Sequence, residues 1–278
     1  MEWKPIKIVK QVNIDALYSL FIEKKPEGFD FSGETHNFWE CRYIISGTAL
    51  VSADEKIYEL SKGDIIFHKP MEMHKLSVNG KKGAHILIFS FNLKGKYADY
   101  FNDKVFHLTE EQQDIIELFL EFIKSNEDDL MKNYKKEEQF LYAKKDNPLY
   151  LQQVVTHLEH LLLSLADSPN ISKVSTSKDA LIFKDVIKYM NDNVFNHPTV
   201  SDIAKSCYLS QSGLKRLFEK YAGISIHKYF LKLKFKVATK MLKDGMSVSE
   251  VSEKLNFSSQ SYFSVSYKRE MGISPSEI

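Results

Sequence analysis

The sequence of 278 residues holds only two cysteines, Cys41 and Cys207, far apart in the chain. No disulfide framework can be built from such a pair, and a reducing, cytoplasmic setting is expected. Long apolar runs are also missing. No stretch approaches the ~18 apolar residues of a membrane span, so no membrane association is expected. The opening MEWKPIKIVKQVN contains no apolar core of signal-peptide length. Net charge is nearly absent too, at +1 for the whole chain. That balance hides a division. Residues 179–278 carry 15 Lys+Arg against 10 Asp+Glu, net +5, whereas the preceding 178 residues carry 23 against 27, net −4. A basic C-terminal piece joined to an acidic one suits a polyanion-binding module attached to something else. The length and the 43% hydrophobic content suffice for two domains with real cores.

The first hundred residues alternate short apolar runs with turn signals. CRYIISG and TALVSA read as strands either side of a Ser-Gly turn, KIYEL and IIFHKP as strands around SKGD, and AHILIFSFNL and KVFHL as two more. Such spacing predicts a small sandwich or barrel over residues 1–108. The period then changes. Thr109 followed by acids opens a helix with apolar positions at Ile115, Leu118, Phe119, Phe122 and Ile123. MKNYKKEEQFLYAKKDN is polar and fits a loop or an exposed helix, and Asn147-Pro148 starts a second strong helix. Its Leu158, Leu161, Leu162 and Leu165 form a seam suited to packing on the barrel or to pairing two chains. Residues 109–167 are thus expected to be a helical segment, and residues 168–178, rich in Ser and Lys, an interdomain linker.

From 179 to 278 the pattern is all-helical, and it contains a repeat. TVSDIAKSCYLSQSGLKRLFEKYAGIS, from Thr199, returns as SVSEVSEKLNFSSQSYFSVSYKREMGIS, from Ser247. Each copy opens with a hydroxyl residue and an acid three positions on (Thr199 and Asp202, Ser247 and Glu250), a capping box. A turn follows, then a second helix capped by Ser210 or Ser259 and stopped at Gly223 or Gly272. That is a helix-turn-helix, made twice. Residues 230–236 alternate apolar and Lys like a strand, but Leu231, Phe235, Ala238 and Leu242 set a helical register, so one linking helix is expected. The exposed face of the first reading helix carries Gln211, Ser212, Lys215 and Arg216, types that bond base edges and phosphates. Two units on one rigid helix could enter successive major grooves, ~34 Å apart.

These segments, with YFLKLKFKVATKML between them and the closing run from Phe263 to Pro275, resemble the DNA-binding domain of the AraC/XylS family of transcription regulators. The resemblance covers a third of the chain and implies double-stranded promoter DNA as a partner. Departures are informative. Lys234 stands where the family usually has Arg, and Asn256 stands where it has Gly before Phe257. Val265 replaces an Arg that can reach DNA and whose counterpart in the first copy is Arg216. The second helix is therefore expected to lean on Ser259, Gln260, Ser261, Ser264 and Lys268, with a thymine-methyl contact from Val265. The chain ends at Ser276-Glu277-Ile278, slightly short of the family's usual end.

ETHNFWECRYIISGTALV and YELSKGDIIFHKPMEMHKL resemble the family's cupin-like sensor domain, through His36, Phe38, Glu40, Gly47, Gly63, Asp64, Pro70 and His74. Glu34, His36, Glu40 and His74 are types that together suit iron, manganese or zinc. Phe38 and Arg42 stand where a full ligand set would need ligands, so the histidines are read as hydrogen-bonded groups beside a pocket, and no metal or cofactor is expected. The candidate effector-binding residues are His36, Trp39, Glu40, Tyr43 and His74. The fold expected is α+β in two domains: a cupin-like β-barrel with dimerisation helices, and an all-α double helix-turn-helix. The resemblance implies a non-enzymatic, homodimeric regulator, an activator by analogy, that answers to a sugar or related metabolite and contacts RNA polymerase. The rival is a metal-dependent cupin enzyme with an accessory DNA module.

Overall fold

A computed structural model describes residues 4–126, 144–166, 168–169, 174–175 and 177–278. The charged stretch at 131–143 and part of the expected linker lie outside the described residues.

The N-terminal half is built on one long strand. β1 (Asn13–Lys25), β2 (Trp39–Ala53), β3 (Lys56–Ser61), β4 (Asp64–His68), β5 (His74–Ser77), β6 (Ala84–Lys94) and β7 (Val105–His107) pair antiparallel throughout. The first part of β2 lies between β4 and β6, and its second part carries β3 and β5. The two runs expected as separate strands around Ser46-Gly47 are thus one continuous strand. A register shift between Ile44 and Ser46, and Gly47 at φ +83°, turn β2 from one sheet into the next. A side chain at Gly47 would strike the backbone of Gly83 and Ala84, so this corner needs glycine. The strand order β1-β6-β2-β4-β7 leaves open edges among the described residues, so the sheet does not close into the expected barrel. It forms a cupin-like open sandwich whose outer face is covered by helices instead.

Those helices are α1 (Glu110–Ser125) and α2 (Pro148–Leu165). Thr109 caps α1 in a reciprocal capping box with Gln112, and Asn147 caps α2 ahead of Pro148. Period-2 alternation sends Trp39, Cys41 and Tyr43 of β2 outward to meet them. There they join Phe67, Phe89 and Phe91 and the seam Leu158, Leu161, Leu162 and Leu165 in one core. All four seam leucines are therefore used within the chain, which removes them as a contact between chains. Leu118, Leu149 and Leu163 are the large apolar side chains that these helices leave exposed.

The C-terminal half is α3 (Lys178–Asp192), α4 (Val200–Ser206), α5 (Gln211–Tyr221), α6 (Ile226–Lys243), α7 (Val248–Lys254) and α8 (Gln260–Met271), closed by a short 3-10 turn at Pro275–Glu277. Thr199 with Asp202 and Ser247 with Glu250 form the two capping boxes. α6 is one uninterrupted helix through the Lys alternation, and it serves two cores. Tyr229 and Leu233 pack with α3, α4 and α5. Phe235, Ala238 and Leu242 pack with Val251, Leu255, Phe263 and Tyr267. At the tight turns Tyr208 and Asn256 both take left-handed backbone, φ +57° and +52°, the conformation that Asn adopts more readily than Tyr.

The packing of α2 yields a direct test. Leu165→Ala removes a fully buried side chain and should destabilise the protein by about 2–5 kcal/mol in denaturant unfolding. Leu163→Ala, on the exposed face, should leave unfolding of the monomer, at concentrations too low for pairing, within about 0.5 kcal/mol of the parent. Equal effects at both positions would contradict this packing.

Candidate nucleic-acid interface and sensor cavity

The first reading helix is α5. Ser210 accepts a hydrogen bond from the backbone N–H of Gly213 at 3.0 Å, which fixes where the helix begins. Leu214, Leu217, Phe218 and Tyr221 are buried below. Gln211, Ser212, Lys215 and Arg216 stand together on the solvent face, as the sequence pattern requires.

The second reading helix, α8, begins at Ser259, whose hydroxyl accepts from the N–H of Tyr262 at 3.1 Å. Gln260, Ser261, Val265 and Lys268 are exposed, and Ser264 is half-buried. Val265 is 67% exposed, a large apolar side chain that the second core does not use. Tyr262 and Arg269 share the solvent side, although sequence reasoning did not single them out. Lys234 is buried, and its ammonium donates to the Leu255 carbonyl at 2.7 Å. Burial pushes its pKa down to about 8. It therefore holds the α7–α8 turn to α6 and is not a surface charge. Asn256 adds to this by bonding His197 and Phe195 through backbone carbonyl and side-chain amide.

The inner face of the sandwich holds a different constellation. A cavity of about 190 Å³ is lined by Phe21, Phe29, Phe31, Leu76, Ile86 and Ile88, with Glu34, Glu40 and Arg42 at its polar end. Arg42 is buried, and its Nε donates to Glu40 Oε1 at 2.6 Å. Burial alone would raise the Glu40 carboxyl, but Arg42, His36 and His74 outweigh it and hold the group well below its ordinary value. His36 Nε2 lies 3.5 Å from Glu40 Oε2, and His74 Nε2 lies 3.6 Å from both Glu34 Oε1 and Glu40 Oε1. Behind His74, the His68 ring stacks at 4.3 Å between centroids and its Nδ1 meets Glu72 Oε2 at 2.7 Å. Burial, then His74, pushes the His68 pKa well down; burial, then Asp54, pushes Glu72 well up. Both shifts favour the uncharged form of the group.

Of the candidate effector residues, Glu40 lines this cavity, and His36 and His74 stand against its carboxylate at 3.5 and 3.6 Å. Trp39 and Tyr43 do not. They lie on the opposite face of β2, sealed under α1 and α2, because neighbours along a strand point to opposite sides. Phe21, Phe29 and Phe31 supply the aromatic lining in their place.

The two regions are joined by contacts no sequence pattern announced. Lys75, the residue after His74, is 2% exposed at its side chain. Its ammonium reaches Asp30 at 2.7 Å, the Glu219 carbonyl at 2.7 Å and the Lys220 carbonyl at 3.0 Å. Those carbonyls belong to the last turn of α5, where helix carbonyls have no helical partner and the dipole is negative. Beside it Gly33 and Gly223 interlock: a side chain on Gly33 would strike Ala222, and one on Gly223 would strike Ser32. Lys236 of α6 pairs with Asp54 at 2.6 Å, and Ile57 and Met73 of the sandwich complete the core of the first helix-turn-helix.

Comparison with known proteins agrees with this division. The AraC-like ligand binding domain model matches residues 17–112, and a helix-turn-helix domain model matches residues 203–278. The uncharacterized HTH-type transcriptional regulator YfiF of Bacillus subtilis (strain 168) is 23% identical over 249 residues, covering 86% of this chain and 76% of that protein. The Msm operon regulatory protein of Streptococcus mutans is 31% identical over 127 residues, 45% of this chain and 46% of that one. A crystal structure of ToxT from Vibrio cholerae O395 aligns over 96% of each chain at 13% identity, with a TM-score of 0.38.

The unequal faces of α5 and α8 can be tested by substitution. Arg216→Ala should cost about 1–3 kcal/mol at one or two base positions if Arg216 reads a base edge. An equal loss on every sequence would make it a phosphate contact. Val265→Arg should tighten DNA binding in a titration at fixed salt, and no change would mean that this face of α8 stays off the groove.

Proposed function

This chain belongs to the AraC family of transcription regulators, DNA-binding proteins that answer to a small-molecule effector, and from that premise we propose how its parts divide the work. α5 carries most of the base readout, through Gln211, Ser212, Lys215 and Arg216. α8 contributes backbone contacts through Ser259, Gln260 and Lys268, its DNA-facing Ser261 and Ser264 are short, and Val265 meets a thymine methyl. The observation that carries this reading is the contrast in the first two turns, where α5 presents Lys215 and Arg216 and α8 presents Ser264 and Val265 at the same places, its Lys268 and Arg269 falling in the last turn.

The effector enters the cavity of the sandwich. At about 190 Å³ it falls below the ~300–1,000 Å³ of drug-sized sites, so the ligand is small. Carboxylates, the Lys25 ammonium and the Arg42 guanidinium, beside three phenyl rings and aliphatic Leu76, Ile86 and Ile88, favour a compact molecule with both hydroxyl groups and an apolar face, such as a sugar or related metabolite. Occupancy shifts a pre-existing balance between arrangements of the sensor and α5, which requires different affinity for the two. The sensor covers residues 1–108, the helical segment 109–167, the linker 168–178 and the reading domain 179–278. The protein acts in the cytoplasm as an activator in contact with RNA polymerase. No helix among the described residues is long and apolar enough to cross a membrane. It pairs with a second copy through the outer faces of α1 and α2, where Leu118, Leu149 and Leu163 remain exposed. Pairing raises DNA affinity through effective concentration.

Selection of bound sequences from a random duplex pool by the full chain, at two salt concentrations, tests the division of labour. Two elements about one helical turn apart, ~34 Å, are expected, one more sharply defined than the other. Sequence-blind retention that disappears at higher salt would count against it.

A further inference from the structure

Glu34, His36, Glu40 and His74 each offer one ligand atom, and these atoms all lie within 4.8 Å of one another. What they surround follows from the hydrogen bonds on their far sides. His36 Nδ1 is 2.9 Å from the Phe38 carbonyl, and His74 Nδ1 is 3.0 Å from the Glu72 carbonyl. A carbonyl oxygen only accepts, so each Nδ1 carries the proton and donates. In the neutral ring Nε2 is then a bare lone pair. Both Nε2 atoms are buried, and neither has a hydrogen-bond partner among the described residues. Each faces carboxylate oxygens at 3.5–3.6 Å, which are also lone pairs. Four electron-rich atoms aimed at one point repel unless a cation lies among them. Arg42 does not fill that role. Its guanidinium holds Glu40 at 2.6 Å and stands 3.7 Å from Glu34, and it neutralises one of the two carboxylates.

We propose that these four side chains bind one divalent first-row transition-metal ion. Ligand bonds of about 2.0–2.2 Å in a tetrahedron place neighbouring donors ~3.4 Å apart; the nearest pairs stand at 3.5–3.6 Å, and the set, within 4.8 Å overall, must draw in on loading. Two imidazoles and two carboxylates without a thiolate suit zinc, manganese, iron(II) or cobalt, and disfavour copper(I) or calcium. The Nδ1–H to carbonyl bonds orient both rings and fix their tautomer, as outer partners of ligating histidines do. This departs from the expectation that Arg42 spoils the set. Arg42 approaches Glu40 Oε1 and leaves Oε2 turned toward His36. Two ligands also border the reading domain. Gly33, before Glu34, abuts Ala222, and Lys75, after His74, grips the end of α5. An ion would therefore tighten the two segments on which the first reading helix rests.

The test uses the full chain, stripped with a chelator and dialysed, then titrated with Co²⁺ and separately loaded with Zn²⁺. One ion per chain by elemental analysis, a cobalt d–d absorption band and a rise in Tm on loading are expected. Glu34→Gln removes a ligand that is partly exposed, so the fold should survive, and with His36→Gln in the same chain it should abolish all three signals while circular dichroism stays unchanged. Wild-type protein that is folded yet retains no ion and gives no d–d band overturns the proposal. So does stoichiometric retention by the folded double variant, which would put the ion elsewhere.

Discussion

The ammonium of Lys75 is the point on which the two halves of this molecule meet. It is withdrawn from water, compensated by Asp30, and aimed at the last-turn carbonyls of α5. A charge in that position is tolerable only while all its partners are in place. It satisfies helix carbonyls that would otherwise need water or a cap. The inner strand of the sensor and the first reading helix are thus held by one group, and moving either exposes or strands a buried charge. Around it, glycines let backbone touch backbone at Gly33 and Gly223, and the sensor's Ile57 and Met73 complete a core that belongs to the reading domain.

From this follows an asymmetry between the two helix-turn-helix units. The first shares its core with the sensor and is docked at its C-terminal end. The second is organised around α6 by Phe235, Ala238 and Leu242, with the buried Lys234 binding its turn to that helix. α6 runs through both and makes its own contact to the sensor through Lys236 and Asp54. The unit with the richer reading face is also the one with the sensor at its back. Any change in β5 therefore reaches the helix with Arg216 through direct packing, whereas the second unit receives it through α6 and through the Asn256 contacts to Phe195 and His197.

Much of this was legible before any coordinates. The hydroxyl–acid pairs at Thr199 and Ser247, the Asn147-Pro148 start and the heptad-like spacing through the Lys alternation of α6 are local signals, and local signals survive folding. Asn256, where the family has Gly, takes left-handed backbone, which Asn tolerates. Other features were settled only by the fold, for physical reasons that are easy to state. Trp39 and Tyr43 were grouped with Glu40, but a strand sends neighbours to opposite faces, so they belong to the core under the helices. The leucine seam of α2 suited the sheet and a second chain alike, because nothing in the sequence says how much of a sheet's outer face is bare. The Ser-Gly corner was read as a hairpin because a bulge with Gly at positive φ and a turn use the same residues. Lys75 and its helix partners are 144 and 145 residues apart, beyond any local pattern.

The central claim, that the sensor grips the first reading helix through Lys75, is tested most directly by amide hydrogen exchange on the full chain and on Lys75→Met, which keeps the length of the side chain and removes its charge. The account predicts faster exchange in the C-terminal part of α5, around residues 217–223, with α7 and α8 unchanged. Identical exchange in α5, or acceleration spread evenly over both units, would contradict it.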